Sequence, residues 1–311
     1  IAREQPEVIT IGASRAHELR SAMLAPYKFY NASLTAWTFE QQIEMVERIT
    51  RVSHPRVIIA SIDYLMFVDS FADQMNDERT MRFDNGLNYR YESALDAIHT
   101  IRGDPNQLRL LYPTSATPRF LGLGARKDRT GFRFDGSRLW PHSVYDEAPG
   151  MLAKNLGQID PAVGSLHLGE REIHGLERLA ALCRERNVLL VGVQFPIYKA
   201  SVDRLDNDET LWAKTGVWRE FESASMQQRF RDLGIVFFDL ARADMTSKAI
   251  YFTDAAHPTE TGMSVMVSEL LKDERFRKIF PLIDPGRLQH DRDEAVMRGD
   301  PFEIYGNSFL R

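Results

Sequence analysis

A single cysteine, Cys183, stands in a chain of 311 residues. One thiol excludes an internal disulfide and any multi-cysteine metal site, and leaves the redox compartment unassigned. No run approaches the roughly 18 apolar residues of a membrane span, and no secretory leader is written into the sequence. Basic residues are not in excess: the formal charge is −5, which argues against a nucleic-acid binder, where a basic face is the rule. No repeat or low-complexity segment breaks the chain. His17, His54, His99, His142, His167, His174 and His290 show no metal-ligand spacing, and "LGLGAR" (121–126) follows no clear strand and opens no clear helix, so it does not read as a phosphate loop.

Hydrophobic residues at 43% and charged residues at 27% are those of an ordinary globular chain able to bury a core. Five short strand-like runs stand out: "EVITIGAS" (7–14), "KFYNAS" (28–33), "PRVIIASID" (55–63), "NVLLVGVQFP" (187–196) and "GIVFFDLA" (234–241). Three are continuously apolar, as strands covered on both faces of a parallel sheet are. Helical periodicity separates them at 38–52, 169–187 and 217–233, and a last core helix is predicted at 259–272. Cys183 falls in register with Leu176, Leu179 and Ala180 and reads as a core thiol. The alternation predicts an α/β fold, a three-layer α/β/α sandwich on a flavodoxin-like parallel sheet of about five strands. One domain is expected over 1–275, with an irregular extension over 276–311. A large insertion, about 70–165, follows the third strand, and a smaller excursion, about 197–218, holds Trp212 and Trp218. Both leave from carboxyl ends of strands, where open α/β sheets bind ligands.

Two short stretches carry chemistry. In "TIGASRAHEL" Ser14 sits where the first strand turns, with Gly12 two residues earlier to permit the bend. A helix is expected to start there, so the serine reads either as a helix N-cap or as a hydroxyl near backbone N–H groups and a positive helix end. In "YFTDAAHPTETG" Asp254 and His257 lie three apart on the loop between the last strand and the last helix. His-Pro before a helix can be punctuation. It can equally present an imidazole to Ser14, with Asp254 fixing its tautomer, because a serine hydroxyl is a weak nucleophile until a neighbouring base takes its proton.

"GAS" (12–14) and "DAAHP" (254–258) resemble the first and last blocks of the SGNH (GDSL-like) hydrolase superfamily over roughly 7–68 and 169–272. "GASR" and "ASIDYLMF" look most like its bacterial cell-envelope members. The resemblance implies a serine esterase or O-acyltransferase, commonly for acetyl groups, acting on an envelope carbohydrate without metal or organic cofactor. Ser14, His257 and Asp254 would be catalytic, and the Ser14 amide would be one oxyanion donor. The family's second-block Gly is missing from "FYNASL", and Ile62 stands where a third-block Asn would be, so Asn31 is the expected replacement donor. Arg15, Asp63 and Gln194 are the candidate substrate contacts. Arg15 reads equally as an exposed cation and Asp63 as a structural carboxylate. The resemblance further implies an extracytoplasmic location and a membrane-bound acyltransferase as partner. The chain opens on "IAREQPEVITIGAS", without Met, so an upstream segment that tethered it is expected to have been lost. Two other readings stay open: a catalytically degenerate carbohydrate-binding or partner-docking module, and an unrelated flavodoxin-like domain binding a small molecule or phosphate at the same edge.

Overall fold

The computed structural model describes residues 1, 4–83, 102, 120–121, 131–140, 142–155, 165–208, 216–300, 302 and 304–305. All five expected strands form: β1 (Val8–Gly12), β2 (Phe29–Ser33), β3 (Val57–Ser61), β7 (Leu189–Gln194) and β8 (Val236–Asp239). They make one parallel sheet in the order β2-β1-β3-β7-β8, the doubly wound order with β1 inside the sheet. Successive side chains on a strand face opposite ways, and the core divides accordingly. Ile9, Ile11, Ile58, Ala60, Leu190 and Phe237 belong to one apolar cluster, and Val8, Val57, Ile59, Val191, Val193 and Phe238 to the other.

The first cluster is covered by α1 (Phe39–Val52), α4 (Glu170–Glu185), α6 (Gly216–Phe221) and α7 (Ala224–Asp232). Thr38 starts α1 by accepting from the Gln41 N–H at 3.2 Å, as an N-cap should. Cys183 is buried in α4, and burial pushes its thiol up to about 12, so it is inert. The single helix expected over 217–233 is two, because the Ser223 hydroxyl caps a fresh helix at the Met226 N–H. Trp218 is core: its ring meets Tyr64 edge-on, and its N–H donates to Asp206 at 2.9 Å. Trp212 lies outside the described residues, although α5 (Lys199–Asn207) of the same excursion is described.

The opposite face is covered by α8 (Glu260–Leu270) and by the segment expected to be irregular. That segment forms α9 (Glu274–Ile279) and α10 (Pro285–Met297), whose Phe276 and Leu288 join the second cluster with Phe280 and Ile283. Asp273 and Asp284 cap the two helices. Polar composition on the outer face hid an ordinary amphipathic layer, and the fold therefore runs past residue 275. Of the insertion, the described parts are α2 (Asp69–Phe83), a small antiparallel sheet of β4 (Phe120–Leu121), β5 (Gly131–Arg133) and β6 (Arg138–Leu139), and α3 (His142–Asn155). Most of "LGLGAR", together with His99, falls outside the described residues. Among them, no helix is long and apolar enough to cross a membrane.

Candidate active site

β1 ends at Gly12, whose φ is +131° and whose missing Cβ would lie 2.5 Å from the Ser61 Cβ. Both the backbone conformation and the space demand glycine. Gly12→Ala is therefore expected to cost at least about 2 kcal/mol, seen as a lower urea midpoint; an unchanged midpoint would contradict the close approach. Ser14 follows two residues later at the carboxyl edge. No α-helix starts there, only 3-10 turns at Ser14–Ala16 and Ser21–Leu24, so the expected helix dipole is absent. Nor does the hydroxyl cap anything. Ser14 Oγ lies 2.7 Å from His257 Nε2, and among the described residues the Ser14 N–H meets no acceptor.

The loop that carries the imidazole is pinched shut at its base. Phe252 pairs with Pro258 as an isolated bridge, and the Thr253 N–H donates to the His257 carbonyl at 2.9 Å. The N-cap of α8 is Thr259, which accepts from the Gly262 N–H at 3.0 Å. Pro258 thus precedes the cap and serves the loop, not the first helical turn. Within the loop, Asp254 Oδ1 accepts from the Ala256 and His257 N–H groups at 2.8 and 2.9 Å, and Oδ2 lies 2.7 Å from His257 Nδ1. Burial alone would raise the Asp254 carboxyl, but the His257 side chain and the two backbone donors outweigh it and hold it down to about 2. An ionised Asp254 can only accept, so the ring hydrogen sits on Nδ1 and the Nε2 lone pair faces the Ser14 hydroxyl.

Two residues that the sequence reading left aside complete the centre. The His17 ring stacks on that of His257, with centroids 5.6 Å apart and planes 23° apart. Trp140 Nε1 donates to His17 Nε2 at 2.7 Å. His17 Nε2 is therefore an acceptor and the ring neutral, with its hydrogen on Nδ1, a buried atom with no partner. Burial, then the charges of His257 and Arg138, hold His17 well below 6.5. A depressed histidine contributes stability that is whole above 6.5 and is lost as pH falls toward its folded value, because the unfolded chain binds a proton the folded one declines. His17→Gln is expected to flatten the acid side of a plot of melting temperature against pH; an identical slope in both proteins would refute this. Nothing in spacing links His17 to Trp140, 123 positions away.

The hairpin holding Trp140 is locked against the nucleophile's own segment. The Asp135 carbonyl accepts from the Asn31 N–H at 2.6 Å, and the Arg138 N–H donates to the His17 carbonyl at 2.8 Å. Asp135 Oδ2 takes the Ser21 N–H at 2.9 Å. Below the hairpin, Glu260 Oε2 accepts from Arg20 at 2.9 Å and from Arg133 at 3.1 Å, all three side chains being buried.

Burial and hydrogen bonds fix the settings of the other expected residues. Asn31 spends both hydrogens of its Nδ2 on the carbonyls of Ala16 and Leu19, at 2.8 and 2.9 Å, and its Oδ1 accepts from the Ser33 N–H. It braces the turn after Ser14 and has no donor left for an oxyanion. Arg15 is not an exposed cation: it is buried, with Nη1 3.8 Å from Asp63 Oδ2. Asp63 caps the 3-10 turn Tyr64–Phe67 through the Leu65 N–H at 3.0 Å, the structural role. Gln194 is wholly buried at the end of β7, its Oε1 unpaired. Ile62, also wholly buried, offers no donor. A cavity of about 480 Å³ beside α4 and α7 is lined by none of these residues. Among the described residues no three His, Cys, Asp or Glu side chains are grouped to hold a metal ion. Compared with protein-family models, curated proteins and solved structures, the chain matches none.

Proposed function

We propose that the protein is a serine-dependent ester hydrolase or O-acyltransferase of the SGNH (GDSL-like) kind, acting on an acylated carbohydrate of the bacterial envelope. The observation that carries this reading is the unbroken chain from Ser14 Oγ through His257 to Asp254, joined at 2.7 Å on each side of the ring. In the first half-reaction Ser14 attacks the acyl carbonyl while His257 Nε2 takes the hydroxyl proton. Asp254 stabilises the imidazolium that forms, and the Ser14 N–H faces the developing oxyanion. His257 then hands the proton to the departing alcohol, leaving an acyl-serine. Water as the second acceptor, giving its proton to His257, breaks the acyl–Oγ bond, releases the acyl group as a carboxylic acid and restores the Ser14 hydroxyl; a sugar hydroxyl in its place makes the protein a transferase. The resemblance of "GASR" and "ASIDYLMF" to envelope members supports an extracytoplasmic location and an acyl-handling membrane partner.

The opposing reading, a binding module with a silent centre, draws on Asn31 and Ile62. Neither supplies a second oxyanion donor, and losing one such donor costs about 10²–10³-fold in rate. Fluorophosphonate labelling followed by intact-mass analysis separates the two. Stoichiometric modification of the wild type, absent in Ser14→Ala, supports an activated nucleophile. An unmodified, folded wild type would move the assignment to the binding module.

A further inference from the structure

Arg133 and Arg138 stand on the hairpin and Arg20 on the segment after Ser14, and the protein provides counter-charges for two of the three. Arg20 and Arg133 share Glu260, and Arg20 also faces Asp135. Arg138 has no such partner. Its guanidinium lies 4.0 Å over the Trp140 ring and 5.8 Å from that of Phe132. Among the described residues no carboxylate is within ion-pair reach of it. Glu18, whose charge does act on it, is wholly buried, and its Oε1 accepts from the Tyr145 hydroxyl. The Arg138 Nε is enclosed without an acceptor.

Charges withdrawn from water are ordinarily paired, so a half-buried cation without a counter-ion is a position that an anion from outside would improve. Stacking on an indole also fixes the planar fork in advance, the geometry suited to two parallel bonds to a carboxylate, sulfate or phosphate. The place is adjacent to the chemistry: the Arg138 N–H is bonded to His17, whose ring lies on that of His257. Phe132 and Phe134, 36% and 50% exposed, widen the apolar part of this rim.

We propose that Arg138, seated on Trp140, is an anion subsite of the Ser14 centre and receives the acidic group of a charged sugar unit next to the ester. The inference rests on the reading of Ser14 as an acyl nucleophile and narrows the substrate to an acidic polymer. With a net charge of −5 the chain as a whole repels polyanions, so attraction must arise locally and weaken with salt.

The test is calorimetric binding to the full chain carrying Ser14→Ala, which prevents turnover. Four oligomers of equal length serve as probes: oligogalacturonate, a sulfated cello-oligosaccharide, a poly(glycerol phosphate) and a neutral cello-oligosaccharide. One acidic oligomer is expected to bind roughly tenfold or more tighter than the neutral one, and which one does so identifies the acidic group. Adding Arg138→Met, whose stem can still cover Trp140, should abolish the preference, and Arg138→Lys should retain part of it. Equal binding of acidic and neutral oligomers, or a preference that survives Arg138→Met, would overturn the subsite. Labelling of wild-type Ser14 reports separately on the nucleophile. Labelling without an acidic preference removes the subsite alone; an Arg138-dependent preference without labelling removes the enzyme reading and leaves a binding site.

Discussion

His257→Ala is expected to slow fluorophosphonate labelling of Ser14 by about 10⁴-fold or more, with Ser14→Ala unlabelled altogether. Among the described residues the hydroxyl has no other base within hydrogen-bond reach: its partner is His257 Nε2 at 2.7 Å. Asp254→Asn should have an effect of similar size for a different reason. The amide would turn its N–H₂ toward His257 Nδ1 while its oxygen keeps the Ala256 and His257 N–H groups now bound by Oδ1. That arrangement places the ring hydrogen on Nε2, so a donor instead of a lone pair would meet Ser14, a loss on the order of 10⁴-fold. Because Asp254 is held down to about 2, its charge persists through mildly acidic buffers, and lowering the pH to values above that should not reproduce the variant. Labelling rates are read by intact mass at matched probe concentration. A His257→Ala protein labelled within tenfold of wild type would end the case for an activated serine.

Glu260→Gln is expected to lower stability by about 3–5 kcal/mol, a fall in melting temperature on the order of 10 °C. Glu260 is wholly buried at the first turn of α8 and is bonded to Arg20, Arg133 and the Tyr305 N–H. Burial works against the charge on Arg20, yet the Glu260 carboxylate and Asp135 together raise its pKa above the ordinary value. Removing the Glu260 charge leaves two buried guanidinium groups side by side, which is the costly way to break such a cluster. Replacing Arg133 by Met in the same protein should recover part of the loss. The network ties the turn after Ser14, the inserted hairpin and the helix behind His257, so labelling should slow alongside the loss of stability. A melting temperature equal to wild type would show that the cluster contributes nothing net.

What could be read from the residues alone was what neighbours in the chain decide. The five strands, the core register of Cys183 and the Asp254-x-x-His257 pair all depend on groups a few positions apart. Periodicity and local hydrogen bonding act at that range. Gly12 was legible for the same reason: the chain turns at the residue itself. The meeting of Ser14 with His257, 243 positions away, was legible only as a pattern of residue types, and its geometry depends on where the last loop returns to the sheet. Asn31 was misjudged because its type suits an oxyanion donor, while the carbonyls that occupy its hydrogens come from a turn 12 and 15 positions earlier. Arg15 looked like surface until β3 brought Asp63 beside it. His17, Trp140, Arg138 and the Glu260 cluster gave no signal at all, since they are joined by an insertion that folds back over β2. Side-chain chemistry is set by sequence; which groups exclude water together and share a charge is set by the register of the sheet and the closure of its loops, and only the assembled tertiary structure decides that.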